Sequence, residues 1–266
     1  MMKTIKLLVP FILGVLLFSA GSLHAQEGEE HPTALSPYKP VYFLFGNPYT
    51  KVQISFKAQL VEKIPMYFGY TQLMMWNLFT SDPFFYDVNY NPMMWYRFTL
   101  NNENEQWLDI IPEEHESNGK GRLLERSWDR AGLAYHRMDM LGEKTKLFTN
   151  FKIWYSTHLN KGNDDPGNPN PGNTDFTRYR GLYELTMTMA NFMGSHFDFS
   201  DLTFRIYPGG PSKVDPFNGG QELTFRFRTV HSYLLPMTVF QVFHGYAEDM
   251  LDYKVQHWEF RAGFGF

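Results

Sequence analysis

A period of two runs through most of this chain and limits what it can fold into. In Lys51–Leu60 the side chains of Val52, Ile54, Phe56, Ala58 and Leu60 alternate with Lys51, Gln53, Ser55, Lys57 and Gln59. Between Arg178 and Met189, Tyr179, Tyr183, Leu185, Met187 and Met189 oppose Arg178, Arg180, Glu184, Thr186 and Thr188. Further on, Leu223, Phe225 and Phe227 oppose Glu222, Thr224, Arg226 and Arg228. The last segment sets Trp258, Phe260, Ala262, Phe264 and Phe266 against His257, Glu259, Arg261 and two glycines. Successive side chains of a strand point to opposite faces, so each segment predicts one apolar and one polar surface.

The apolar surface is unusually aromatic. Phe, Tyr and Trp make up 18% of the chain and recur strand by strand instead of gathering in one core. That is the pattern of an all-β transmembrane antiparallel β-barrel, with an apolar outer band and a polar interior. Strands are expected near 40–46, 50–61, 65–79, 91–100, 105–115, 127–140, 144–157, 178–191, 195–207, 220–231, 234–245 and 254–266, about twelve in all. A two-sheet sandwich would alternate as well. The barrel is favoured by the terminal Phe266 and by residues 1–25, where Lys3 and Lys6 precede an apolar run from Leu7 to Phe18. Those residues read as a secretory signal peptide, leaving 26–266 as the barrel. The segment Asn160–Asp175, rich in Gly, Pro, Asn and Asp, predicts an exposed loop.

Composition closes off other classes. Loss of Lys3 and Lys6 with the signal takes the net charge from −4 to −6, which argues against a nucleic-acid partner. With no cysteine there is neither a disulfide framework nor a thiolate metal site. Beyond the signal no apolar run is long enough for a membrane-spanning helix.

Chemistry concentrates in His115-Glu116-Ser117-Asn118-Gly119 and Ser127-Trp128-Asp129-Arg130. His115 and Ser117 are two residues apart, so on a strand they share a face, with α-carbons roughly 6.5–7 Å apart. If 118–126 is a loop, the returning strand can bring Asp129 beside the imidazole. Ser, His and a carboxylate are the components of nucleophilic ester hydrolysis, and the Gly119 N–H is a candidate oxyanion donor. Parity puts Asp129, Ala131, Leu133 and Tyr135 on the lipid side and Trp128, Arg130, Gly132, Ala134 and His136 toward the lumen. The strand before His115 breaks the pattern, because Asp109 and Glu113 share its parity; Pro112 marks a possible bulge. Solvated rim charge would produce the same residues without chemistry.

At these residues the chain resembles the outer membrane phospholipase A family, which carries H-x-S-N-G and then S-W-N-R at the same spacing. The resemblance extends to Tyr70-Thr71-Gln72, Ser81-Asp82-Pro83-Phe84, Asn89-Tyr90-Asn91-Pro92, Gly245-Tyr246 and Asp252-Tyr253. It implies hydrolysis of acyl esters in membrane glycerophospholipids, in the bacterial outer membrane, with calcium (Ca2+) and with activation as a homodimer. By the resemblance Ser117 corresponds to the nucleophile, His115 to the general base and Gly119 to the oxyanion donor. Asp129 stands where the family usually has asparagine. The implied calcium ligands are the Lys120 carbonyl, Glu125 in place of a serine hydroxyl, and a Ser81 carbonyl from the partner subunit. Arg122 replaces an acidic loop residue of the family and would repel a cation. Gln72 matches a polar residue that pairs across the family's dimer interface. The alternatives are a catalytically silent small porin or lipid-binding barrel, and a secreted β-sandwich lectin or esterase.

Overall fold

Each alternating segment becomes a strand, and each strand pairs antiparallel with the next until the last meets the first. A computed structural model describes residues 35–102, 105–163, 169–194, 197–228 and 236–266. The expected signal peptide lies outside the described residues. The barrel strands are β1 Tyr42–Phe45, β2 Thr50–Val61, β3 Ile64–Asn77, β4 Phe84–Asn101, β5 Gln106–Ser117 and β6 Ser127–Leu141. They continue with β7 Thr145–Leu159, β8 Tyr183–Ala190, β9 Phe199–Gly209, β10 Asp215–Arg228, β11 Met237–Gly245 and β12 His257–Gly265. Closure comes from β1, which pairs with β2 on one side and with β12 on the other, as in Tyr42 opposite Gly265. The result is a closed barrel of twelve strands, so the sandwich alternative falls. A two-residue strand, Ser36–Pro37, adds to β2 opposite Lys57 and Phe56.

Alternation sorts the side chains as the polarity pattern requires. Leu133, Ile153, Leu223, Phe240, Trp258 and Phe260 are exposed on the outer wall. Such a surface is stable facing hydrocarbon, where closure leaves no unpaired strand edge. The inner wall is polar and mutually paired. Lys51 donates to Glu222, Gln241 and Glu248 at 2.7, 2.8 and 3.0 Å. Arg261 holds Glu248 through both oxygens, and Arg205 bridges Glu184 and Glu222. These pairs cross the lumen and leave a cavity of about 500 Å³.

The two mouths differ. Tight turns at 62–63 and 142–144 lie at one end, and the connections at 78–83, 118–126, 160–163, 169–182 and 246–256 lie at the other. Under those long connections sits the largest buried cluster, in which Trp128, Trp154, Phe176, Tyr207, Phe243, Met250 and Tyr253 pack together. Full burial of each large side chain stabilises by about 1.5–3 kcal/mol.

Several expectations are corrected. Arg178–Arg180 do not begin a strand; Thr177–Arg180 form a single helical turn, α1, whose neighbour Phe176 packs against Trp128 and Tyr253. Strand β4 begins at Phe84, well before the expected residue 91, because its first residues extend past β5 to pair with β3. The 160–175 connection is not simply exposed: Asn160, Asn170 and Asn173 are buried with Phe176 in the mouth. Its polar composition serves hydrogen bonds to neighbouring backbone as well as to water.

Candidate active site on the outer wall

A single irregularity decides which way His115 points. Between Ile111 and Glu114 the β5–β6 register shifts, so Pro112 and Glu113 both face outward. Asp109 and Ile111 are buried toward the lumen before the bulge, and Glu114 is buried there after it. One inserted residue therefore moves His115 and Ser117 from lumen parity to the lipid-facing wall. Proline suits the bulge because it cannot donate to the ladder.

On β6 the residue opposite His115 is Asp129, and the two meet: His115 Nδ1 and Asp129 Oδ1 are 2.5 Å apart. Neither is deeply buried, at 41% and 26% side-chain exposure. Holding Nδ1 against a carboxylate leaves Nε2 facing away from Asp129 and fixes the ring's orientation. Ser117 lies two residues along the same face, in register with Tyr90 of β4 and Ser127 of β6. Its hydroxyl makes no hydrogen bond to His115 in this structure. Gly119 follows with φ +61°, and a Cβ there would stand 2.9 Å from Tyr90 Cε2. Only glycine fits both demands, and the turn it allows carries the chain straight into the 118–126 connection.

Residues to which the sequence assigned no role in the chemistry hold this site from behind. Asn91 on β4 donates to the His115 carbonyl at 2.8 Å and to Glu114 at 3.2 Å. Asn118, 3% exposed, staples the loop: its Nδ2 donates to the Leu124 carbonyl at 2.8 Å and its Oδ1 accepts from the Arg126 N–H at 3.0 Å. Asn173 exchanges two hydrogen bonds with the Ser127 backbone, and Asn160 donates to Glu125 Oε1 at 3.1 Å. Asn91 and Asn118 stand within the motifs that carry the resemblance and Asn160 and Asn173 in an asparagine-rich loop, and neither signal gives an address for their partners.

The implied calcium ligands divide in two. Lys120 and Glu125 share the 118–126 loop, where internal hydrogen bonds use the carbonyls of Gly121, Arg122, Leu123, Leu124, Glu125 and Arg126. The Lys120 carbonyl and Glu125 Oε2 are among the loop oxygens left over, beside the Asn118 and Gly119 carbonyls, and all are hard donors suited to calcium. The donor set therefore fits a hard cation, with Glu125 its one acidic member. Among the described residues no three His, Asp or Glu side chains come together as a metal group. Ser81 is exposed in the turn above β3 and β4, six β4 residues beyond the Tyr90–Ser117 row, or roughly 20 Å along the strand. Gln72 faces outward between the cavity-lining Thr71 and Leu73, in one row with Tyr90 and Ser117. Tyr70 Oη donates to its Oε1 at 3.0 Å.

The long-loop mouth carries two strongly displaced carboxyls outside the spanning strands. Burial, then the charge of Asp87, pushes Asp249 up to about 7. Next to it burial would also raise Glu248, but Lys51 and Arg261 outweigh that and hold it well below the usual carboxylate range.

A closed barrel with an apolar exterior is the architecture of an outer-membrane protein, and this one carries a serine and a histidine–carboxylate pair on that exterior. The chain belongs to the phospholipase A1 family, whose model matches residues 46–266. It is a phospholipase, and the silent-barrel alternative falls. No curated protein matches the chain significantly. Among solved structures, outer membrane phospholipase A from Escherichia coli is 22% identical with a TM-score of 0.68, covering 87% of this chain and 98% of that one. The Salmonella typhi outer membrane phospholipase dimer with bound calcium is also 22% identical, with a TM-score of 0.68 and coverage of 92% and 97%. An E. coli active-site mutant, asparagine to alanine, is 21% identical with a TM-score of 0.66 and coverage of 94% and 97%. At these identities the likeness shows the common barrel.

Proposed function

We propose that this chain is an outer-membrane phospholipase that hydrolyses acyl esters of glycerophospholipids through Ser117, His115 and Asp129 on the barrel's outer wall. The observation that carries this reading is the His115–Asp129 hydrogen bond on a face turned toward lipid, with Ser117 beside it. A lipid ester diffusing along the wall meets the Ser117 hydroxyl. His115 Nε2 takes the hydroxyl proton as Oγ attacks the carbonyl carbon, and Asp129 stabilises the imidazolium that forms. The Gly119 N–H faces the developing oxyanion. His115 then gives its proton to the leaving alcohol, releasing a lysophospholipid. Water, deprotonated by the same imidazole, attacks the acyl-enzyme and frees the fatty acid.

Calcium fits this reading as a ligand of the Lys120 carbonyl and Glu125, with Ser81 supplied by a second copy. When bound it would add positive charge near the ester carbonyl. Homodimerisation fits Gln72, whose side-chain N–H groups face hydrocarbon unless a partner accepts from them. The solved relative described as a calcium-bound dimer supports both assignments. Residues 1–25 serve in this reading as the export signal, and 26–266 form the barrel.

The test is phospholipid hydrolysis in detergent micelles, with calcium or with chelator. Ser117→Ala should lower kcat by at least ~10³-fold while heat-modifiable migration, the mark of a folded barrel, is kept. Undiminished turnover in a folded Ser117→Ala barrel overturns the assignment. Chelator should lower parent activity, and Glu125→Ala should raise the calcium concentration needed.

A further inference from the structure

Asp129 is a carboxylate on a wall that faces lipid. One of its oxygens, Oδ1, is engaged by His115. The other receives no hydrogen bond from the described residues, and hydrocarbon offers none. A carboxylate so placed needs a second donor, because an unsatisfied charged group away from water is costly. The strand on its other side supplies a candidate.

In the β6–β7 ladder Asp129 stands opposite His158, whereas Arg130 stands opposite Ser156. Thr157 is thus one residue too many, a second bulge beside the site. Leu159, opposite Trp128, packs against the buried cluster of the mouth, and the Ser156 hydroxyl is buried on the same inner side. Regular alternation would leave one outward residue between two inward ones at this point. Here there are two, and both Thr157 and His158 are exposed. The bulge thereby brings His158 onto the face and rung of Asp129. Directly opposed residues have Cβ atoms about 4.5–5.5 Å apart, within reach of an imidazole and a carboxylate. His158 makes no hydrogen bond or ion pair with any described residue, so its ring is uncommitted.

We propose that His158 is a positioning residue of this hydrolase, donating to Asp129 Oδ2 so that Oδ1 stays on His115 Nδ1. Across β5, β6 and β7 the outer wall then reads Ser117, His115, Asp129, His158. This rests on the assignment of Ser117, His115 and Asp129 as the hydrolytic group. His158 touches no reacting atom. It holds the plane of the carboxylate that orients the base, and it offsets the cost of keeping a charge at that position. An amide at position 129 would need such support far less, being uncharged.

The experiment measures kcat and KM on micellar phosphatidylcholine for the parent, His158→Phe, His158→Gln, Asp129→Asn and the Asp129→Asn/His158→Phe double variant. Phenylalanine suits a lipid-facing position, and heat-modifiable migration checks that each barrel folds. His158→Phe should lower kcat about tenfold with KM within about twofold, and His158→Gln, which keeps an N–H donor, should recover most of the loss. In the Asp129→Asn background, His158→Phe should change kcat by less than about twofold, since the partner it served is gone. Equal losses in both backgrounds, a loss confined to KM, no loss at all, or no recovery with Gln would each overturn the proposal. Ser117→Ala run alongside separates the two claims. If it is inactive while His158→Phe matches the parent, the hydrolytic assignment stands and the role of His158 falls.

Discussion

Strands β5 and β6 carry two polar constellations back to back, completed to different degrees. On the lumen face Glu114 accepts from Arg130 at 2.6 Å, from Asn91 at 3.2 Å and from Lys152, and Glu116 accepts from Trp128 Nε1 at 3.0 Å. Arg130 also lies over the Trp128 ring, 4.1 Å from its centroid. On the lipid face, one residue further along each strand, a single side-chain bond is made between His115 and Asp129. The Ser117 hydroxyl and Asp129 Oδ2 take no side-chain partner there. Alternation thus separates two duties within a dozen residues. The inner row ties four strands together, and the outer row keeps the donors and acceptors a reaction would use. A group saturated by its neighbours has little left to offer a substrate.

The comparison breaks most readily on the inner row. Glu114→Gln removes the charge shared by Arg130 and Lys152, leaving Lys152 without its carboxylate and Arg130 with only the 3.3 Å contact to Glu116. Loss of one partner from a buried pair costs roughly 3–5 kcal/mol. Urea unfolding of the detergent-solubilised barrel should therefore show a clearly lower midpoint, with activity falling only as the folded fraction falls. A normal midpoint with lost turnover would mean that the two faces are not separable.

Gly119→Ala probes the outer row at smaller scale. The left-handed φ and the contact with Tyr90 both oppose a Cβ, so the N–H proposed to face the oxyanion must move. Loss of one oxyanion donor lowers kcat by about 10²–10³-fold. Stability should shift far less than in Glu114→Gln, because the loop ends remain clamped by Asn118. If KM carried the whole effect, the backbone at 119 would belong to substrate binding instead.

How much of this could be read from the sequence depends on whether the information was local. Alternation in 51–60, 222–228 and 258–266 sets the inside and outside of β2, β10 and β12 directly, since it reflects a two-residue geometry and two solvents. The His-x-Ser spacing placed its two side chains on one face for the same reason. The bulge at Pro112 was visible only as a break in parity, and the structure resolves it by turning Glu113 outward. The bulge at Thr157 left no such mark, because threonine and histidine fit either face of a strand near the mouth. Asn91, Asn118, Asn160 and Asn173 were illegible as a group, since asparagine in a loop or strand does not announce which distant carbonyl it will meet. The α1 turn was misread because Tyr179 and Arg180 satisfy a two-residue and a helical pattern equally well over so few positions.

The smallest effect lies in the lid over the lumen, away from both rows. Asp249 is buried with Asp87, whose Oδ1 has no hydrogen-bond partner and whose Oδ2 accepts from Asn89 at 2.6 Å and from the Leu251 N–H at 3.0 Å. Asp249 is displaced upward to about 7 by that burial and by the charge of Asp87. An unfolded aspartate releases its proton near pH 4, so between roughly pH 4 and 7 the folded chain keeps a proton that the unfolded chain has lost. The contribution of this group to stability is therefore fully present below about pH 4, declines as the pH rises through that window, and is gone above the folded value. In the Asp249→Asn variant the neutral amide should flatten this part of the stability–pH curve, leaving the parent's fall between pH 5 and 8 visibly steeper than the variant's. Urea midpoints at those two pH values measure it. A slope unchanged by the substitution would place the titration elsewhere in the lumen.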